Sequence, residues 1–327
     1  MSPDHSTIET SLPLSQRPLR IVSYNVRYFG HALRGLGGTA ASQRGIARAL
    51  AKLDPQPGII CLQEVETTSM RSTWAHRNRK DPRHTQLESF MAEFHDAQKA
   101  LGRSCVHEAL YFRAHDYRVG SRSFYTTGLA MLVDTQRVKI DHHNVEAPHH
   151  ITHHHIARVK DRKQTRICAH LRVKDLAGHS LHVFNTHLSL PTPFERGFWS
   201  RKDKMGFGSN QLEEAKSLCA FVKKHAGEDP FIVCGDFNSP PASPVYHHLT
   251  VHNGMAAAQA VMGQATTLRG FPTAGFMHLR MHLDHIFSGP RVKWLDLQDT
   301  RPFGDPEGPF HGLSDHVPLL GSFIIES

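Results

Sequence analysis

The sequence predicts a single α+β domain in which two β-sheets pack on each other with helices outside. Three observations lead there. Short apolar runs of strand length are frequent and are joined by short turns, while helical periodicity is confined to a few stretches. No internal repeat and no linker interrupts the chain. Polar residues recur at the ends of the apolar runs from Asn25 to His316, and such groups can act only if one fold gathers them. The 327 residues would by length alone suggest about two domains, but these recurring strand ends argue for one.

The elements follow in order. Residues 1–18 are polar and bounded by proline, the composition of a flexible N-terminal arm; residues 19–327 form the predicted catalytic domain. Leu19 to Val26 is a strand with Asn25 near its end, and 31–39 is a glycine-rich, mobile stretch. Ser42 to Leu53 is a helix, since Ile46, Ala49, Leu50 and Leu53 share one face, and Asp54-Pro55 stops it. Gly58 to Gln63 is an apolar strand running into Glu64. Residues 66–85 are polar and basic, and Gln86 to Leu101 is a second amphipathic helix. Leu129–Val133, Arg166–Val173 and Leu181–Asn185 are strands, the last ending in Asn185-Thr186-His187-Leu188. Between them lies a tract with seven histidines from His142 to His155, read as a solvated loop with zinc binding as the alternative.

Residues 192–210 form a loop with Phe194, Phe198, Trp199 and Phe207 among basic residues. It can stack bases, enter a membrane interface or simply cover the core. Gln211 to His225 is helical. The strand Phe231–Cys234 then ends in Gly235-Asp236-Phe237-Asn238, and Pro240, Pro241 and Pro244 forbid its continuation. A short helix follows at 243–249, with Ser243 as N-cap and Pro244 at the first helical position. Leu283–Phe287 is a strand carrying Asp284, with His285 packing outward as a structural residue. Asp315-His316 leads into the closing strand Leu319–Ile325.

Composition narrows the partners. A net charge of +8 and a pI of 9.4 favour a polyanion. The 27 histidines add further positive charge in acid. Five scattered cysteines without a CxxC pattern read as reduced core residues. The N-terminal stretch has no apolar secretory core and no run is long enough to span a membrane, so the expected location is cytoplasmic. The expected state is a monomer.

The collected strand-end set is Asn25, Glu64, His187, Asp236, Asn238, Asp284, Asp315 and His316. Asp236 and Asn238 are two apart on an extended chain and so point the same way. A carboxylate can orient or deprotonate water, and a carboxamide can donate to a phosphate oxygen. No GxSxG elbow, HExxH, P-loop or GxGxxG is present. Hard oxygen ligands suit Mg²⁺, with Mn²⁺ as the alternative, and imidazoles beside acids suit proton transfer. The set fits metal-assisted attack of water on a phosphodiester.

Six motifs carry a resemblance: the Asn25-Val26-Arg27 start, then LQEVE, NTHL, GDFN, LDHIF and SDHVP. Their order resembles the endonuclease/exonuclease/phosphatase superfamily over most of the chain. That family includes deoxyribonuclease I, abasic-site endonucleases, deadenylases, neutral sphingomyelinases and inositol-polyphosphate phosphatases. The resemblance implies a four-layer αββα sandwich of two mainly antiparallel sheets. It implies Glu64 as principal metal ligand with Asn25 beside it and Asp315 as a further metal-side acid. Asp236 would activate water, Asn238 bind the scissile phosphate, and His316, oriented by Asp284, contact a phosphoryl oxygen. His187 would protonate the leaving group. Abasic-site enzymes carry an acid where Arg27 stands, so the start is closer to the deoxyribonuclease I form, and Arg27 is expected to touch a substrate phosphate. The expected partner is DNA or RNA. Anionic or phosphocholine lipid is the alternative, and a non-catalytic phosphate-binding module is the alternative of another class.

Overall fold

Two sheets meet face to face because their central strands are apolar on both sides. The computed structural model describes residues 17–27, 39–66, 85–119, 122–152, 165–191, 205–264, 272–276, 279–299 and 308–326. The first sheet contains β1 (Leu19–Asn25), β2 (Ile59–Val65), β3 (His107–Val119), β4 (Arg122–Asp134), β14 (Val292–Asp299) and β15 (Leu319–Ile325). Its order is β14-β15-β1-β2-β4-β3, antiparallel except for the parallel pair β1–β2.

The second sheet contains β5 (Val138–His143), β6 (His149–His150), β7 (Ile167–Asp175), β8 (Ser180–His187), β9 (Phe231–Asp236), β10 (Ala256–Ala257) and β13 (Asp284–Ser288). Its order is β10-β13-β9-β8-β7-β5, with β6 also on β7, and only β8–β9 is parallel. A small separate pair joins β11 (Ala274–Phe276) to β12 (Leu279–Met281).

Side-chain alternation builds the layers. Ile21, Cys61, Met131, Val183, Ile232, Cys234 and Ile286 fill the space between the sheets. Val22, Tyr24, Ile60 and Leu62 point the other way, against α1 (Thr39–Ala51) and α2 (Gln86–Ala100). Phe184, Val233 and Phe287 pack with Leu218 and Val222 of α3 (Ser209–Ala226) on the opposite outer face. The short helices α4 (Pro244–His247) and α5 (Ala258–Val261) complete that side. This is the four-layer αββα sandwich.

A polar tie crosses the apolar middle. The Asn185 amide donates to the carbonyls of Leu62 and Ala130 at 3.1 and 3.3 Å, and its oxygen accepts from Gln63 at 2.7 Å. Asn185 is buried on β8, whereas its partners lie on β2 and β4. Loss of one partner would strand buried polar groups at about 1–3 kcal/mol each, so the tie fixes how the sheets sit on each other near the strand ends. That is the role of Asn185 in the NTHL stretch.

Two expectations change. The histidine tract is not loop throughout: His142 and His143 end β5, and His149 and His150 form β6. Residues 153–155 of the tract lie outside the described residues, as do residues 1–16 of the arm, the glycine-rich 31–38, the basic stretch 67–84 and 192–204 of the aromatic loop. His285 does not face solvent. It is 1 % exposed, stacks on His282 at 4.5 Å, and its Nε2 meets the Ser239 carbonyl at 2.7 Å. The cysteines are as expected: all five are free and four are buried.

Candidate active site

The strand register sets the site. β9 lies between β8 and β13, with His187 and Asp284 level with Asp236 on either side. The close β8–β9 approach needs Gly235: at φ 150°, any Cβ there would sit 2.0 Å from the Thr186 carbonyl oxygen. In the first sheet, Asn25 ends β1. Glu64 sits where the β2–β4 register slips between Leu62 and Val65, an irregularity that re-aims a side chain. The sheets join here, since Asn25 Nδ2 donates to Asp236 at 3.0 Å and to Glu64 at 3.2 Å.

Three site residues adopt left-handed backbone: Arg27 (φ 43°), Glu64 (φ 54°) and Asn238 (φ 48°). Non-glycine residues avoid this region, and such strain concentrates at functional sites. Local bonds hold it. The Asn25 side-chain oxygen accepts from Arg27 N at 3.0 Å, and Asp236 Oδ1 accepts from Asn238 N at 2.9 Å.

His316 stands between two acids. Its Nδ1 meets Asp284 Oδ2 at 2.8 Å and its Nε2 lies 3.8 Å from Asp236 Oδ2. Thr273 Oγ1 accepts from the Leu283 and Asp284 amides at 3.0 and 2.9 Å and fixes the start of β13. Ser314 Oγ donates to the Asn25 carbonyl at 2.8 Å and accepts from His316 N at 3.2 Å, tying this segment to β1. His187 Nε2 lies 3.5 Å from Asp236 Oδ2 and 3.8 Å from Glu64 Oε1.

Burial, reinforced by the Asp284 charge, pushes Asp236 up to about 7, against the pull of His316. Burial opposes a charge on His316, but Asp284 and Asp236 together outweigh it and raise the imidazole to about 10. His187 goes the other way. Burial and then the Arg166 guanidinium hold it well below the usual imidazole range. A buried carboxylate tuned near neutrality can take a proton from water, and an imidazolium beside it can stabilise developing negative charge.

Residues 220–316 match the family model described as the Endonuclease/Exonuclease/phosphatase family. That span contains Asp236, Asn238, Asp284, Asp315 and His316. The human Nocturnin catalytic domain with bound sulfate anion superposes with a TM-score of 0.59 at 20 % identity, over 94 % of both chains. ANGEL2, a 2',3'-cyclic phosphatase, gives 0.60 at 16 % identity, over 95 % of this chain and 96 % of that one. The chain resembles the endonuclease/exonuclease/phosphatase family in sequence and in fold. Nocturnin from Drosophila melanogaster is 34 % identical over 85 residues, which is 25 % of this chain and 11 % of that protein. Members of the family hydrolyse phosphoester bonds.

The endonuclease/exonuclease/phosphatase fold brings the predicted residues together. Asn25, Glu64, His187, Asp236, Asn238, Asp284 and His316 form one connected network. Arg27 and Asp315 join it as an ion pair, so the Arg27 guanidinium is engaged with an acid. The donor chemistry fits a divalent cation at Glu64. Its carboxylate side chain is 18 % exposed, and buried Asp315 Oδ1 has no hydrogen-bond partner. Hard oxygens of this kind suit Mg²⁺. Asn25 turns its nitrogen to Glu64 and Asp236, and so positions both acids. Among the described residues, two groups have atoms close enough to hold an ion: Glu64 with His187 and Asp236, and Asp236 with Asp284 and His316. The histidine tract contributes to neither.

Sequence reasoning missed Arg166, Thr273 and Ser314. Arg166 Nη1 lies 3.0 Å from His187 Nδ1. β7 runs antiparallel to β8 with Cys168 opposite Thr186, which brings Arg166 level with the His187 end. Only that register reveals it. Ser314 had a local signal in its spacing two residues before His316.

Proposed function

We propose that the protein is a Mg²⁺-dependent phosphodiester hydrolase acting on DNA or RNA. The observation that carries this is the buried Asp236–His316–Asp284 arrangement beside Glu64 and Asn25. It offers a base near neutral pKa and a cationic donor within 3.8 Å of each other. Asp236 takes the proton of the attacking water, and His316 donates to a phosphoryl oxygen with Asp284 holding its Nδ1. Asn238 donates to the scissile phosphate, with His187 beside it at 3.3 Å. Glu64, positioned by Asn25 and joined by Asp315 as the resemblance implies, would hold the metal, whose chemistry when bound is to polarise the phosphoryl oxygen and lower the pKa of water. The net charge of +8 supports a polyanionic substrate, and the named relatives are a Nocturnin and a cyclic phosphatase.

The test is cleavage of end-labelled RNA and DNA with Mg²⁺ or Mn²⁺, beside EDTA and Glu64→Gln. The expected result is cleavage that is lost with EDTA and falls about 10³-fold in the variant. Intact nucleic acid alongside hydrolysis of a phosphomonoester or a lipid headgroup would overturn the substrate assignment. Activity unaffected by Glu64→Gln would overturn the metal site.

A further inference from the structure

A neutral imidazole has one N–H and one lone pair, yet His187 has a donor on each side. Arg166 Nη1 is 3.0 Å from Nδ1, and Asn238 Nδ2 is 3.3 Å from Nε2. A guanidinium has no lone pair to offer, so the nitrogen it faces must supply one. The Asn238 amide is equally fixed: Nδ2 donates to the Leu188 carbonyl at 2.9 Å, where an amide oxygen would be repelled. The Arg166 contact is shorter and charged, so it claims the lone pair. The hydrogen of His187 is then on Nε2, pointing into the site beside the second Asn238 Nδ2 hydrogen.

We infer that Arg166 is a positioning residue that locks His187 in the Nε2–H tautomer, and that His187 and Asn238 form a two-donor seat for a phosphoryl oxygen. The nearest carboxylate oxygens, Asp236 Oδ2 at 3.5 Å and Glu64 Oε1 at 3.8 Å, are too far to satisfy the His187 hydrogen well. An anionic oxygen between the donors would take both. Two consequences follow for the reaction. With its lone pair held by Arg166, His187 cannot ligate a metal, so of the nearby groups only the carboxylates remain for that task. Nor does it protonate the leaving group, since release of the Nε2 proton would leave an imidazolate; it stabilises charge instead. Arg166 and His187 line one small cleft with Thr127, Gly128 and Ile167. The phosphoryl oxygen rests on the phosphodiesterase reading; the tautomer does not.

The test is long-range ¹H–¹⁵N correlation on ¹⁵N-histidine-labelled protein at neutral pH, with His187 identified by its loss in His187→Gln. The expected wild-type result is a bare Nδ1 and a protonated Nε2. Arg166→Glu supplies an acceptor and should reverse the pattern. Arg166→Lys keeps a donor and should preserve it. Turnover of bis(p-nitrophenyl) phosphate with Mg²⁺ should fall about 100-fold in kcat in Arg166→Glu, with KM changed far less, and be largely retained in Arg166→Lys. If Arg166→Glu does not fold, Arg166→Met should show mixed tautomers and an intermediate kcat. A protonated Nδ1 in the wild type, or a tautomer unmoved by both Arg166→Glu and Arg166→Met, overturns the inference. No turnover in a wild type with the expected tautomer would sink the phosphodiesterase reading and leave the assignment of Arg166 standing.

Discussion

Two groups of buried histidines in the second sheet and its border behave in opposite ways. At the strand ends, His316 sits between Asp284 and Asp236 and is raised to about 10. On the outer face below α3, burial and then the neighbouring His182 and His225 push His170 down to about 3. His170 stacks on Phe184 at 4.5 Å, and its Nε2 meets His182 Nδ1 at 2.9 Å. Both are shielded from water, so burial alone does not decide the charge. Carboxylates aimed at the ring override the desolvation penalty, whereas aromatic and imidazole neighbours leave it unopposed. The first environment favours an imidazolium. The second makes packing material with a polar edge.

The largest effect expected from breaking this contrast is at Asp284. Asp284→Asn removes the carboxylate at Nδ1 of His316. Hydrolysis should fall about 10²-fold, and an NMR titration of His316 should move down toward the ordinary histidine range. A His316 titration unchanged by the substitution would show that Asp284 does not set its charge.

A second expectation concerns acid. His170 binds its proton far more weakly folded than unfolded, so its contribution is fully present above about pH 6.5 and is lost as pH falls toward about 3. The full loss is at most about 5 kcal/mol. His316 has the opposite sign: its folded value is raised, so its contribution is present below about 6.5 and lost as pH rises through about 10. Melting of the metal-free protein should therefore drop steeply between pH 6.5 and 4. His170→Phe should flatten that acid limb and leave the alkaline limb alone. Equal acid slopes in wild type and variant would remove His170 from the account.

The smallest effect lies at the border of the outer cluster. His149 of β6 stacks on Phe221 of α3 at 4.1 Å. His149→Ala should cost about 1 kcal/mol in urea unfolding and leave hydrolysis unchanged. A loss of activity would show that the two regions are coupled.

Much of this was legible in the sequence, but unevenly. β1, β2, β8, β9, β13 and β15 are covered on both faces for most of their length and read as apolar runs with a polar group at or just beyond one end. The edge strands were obscure. β3 (HEALYFRAHDYRV) and β14 (VKWLDLQD) border the first sheet and mix charges with apolar residues, so no continuous run betrays them. His142 and His143 sit on β5, at the edge of the second sheet, and read as loop for the same reason. In the site, residue types were visible, but pairings that depend on register were not. Nothing in the order of the chain says that Arg166 faces His187, or that Arg27 is paired with Asp315.

The left-handed backbone at Arg27, Glu64 and Asn238 bears on how the protein responds to selection. On backbone grounds alone glycine would relieve about 1 kcal/mol at Arg27 and at Glu64, and less at Asn238, since asparagine tolerates this region. A library screened for heat resistance alone should therefore accumulate Glu64→Gly, removing the metal-side acid while improving the fold, whereas Asn238 is held by its buried bond to the Leu188 carbonyl. Only a screen that also demands turnover would keep Glu64. These three torsion angles mark where durability and chemistry pull the molecule in different directions.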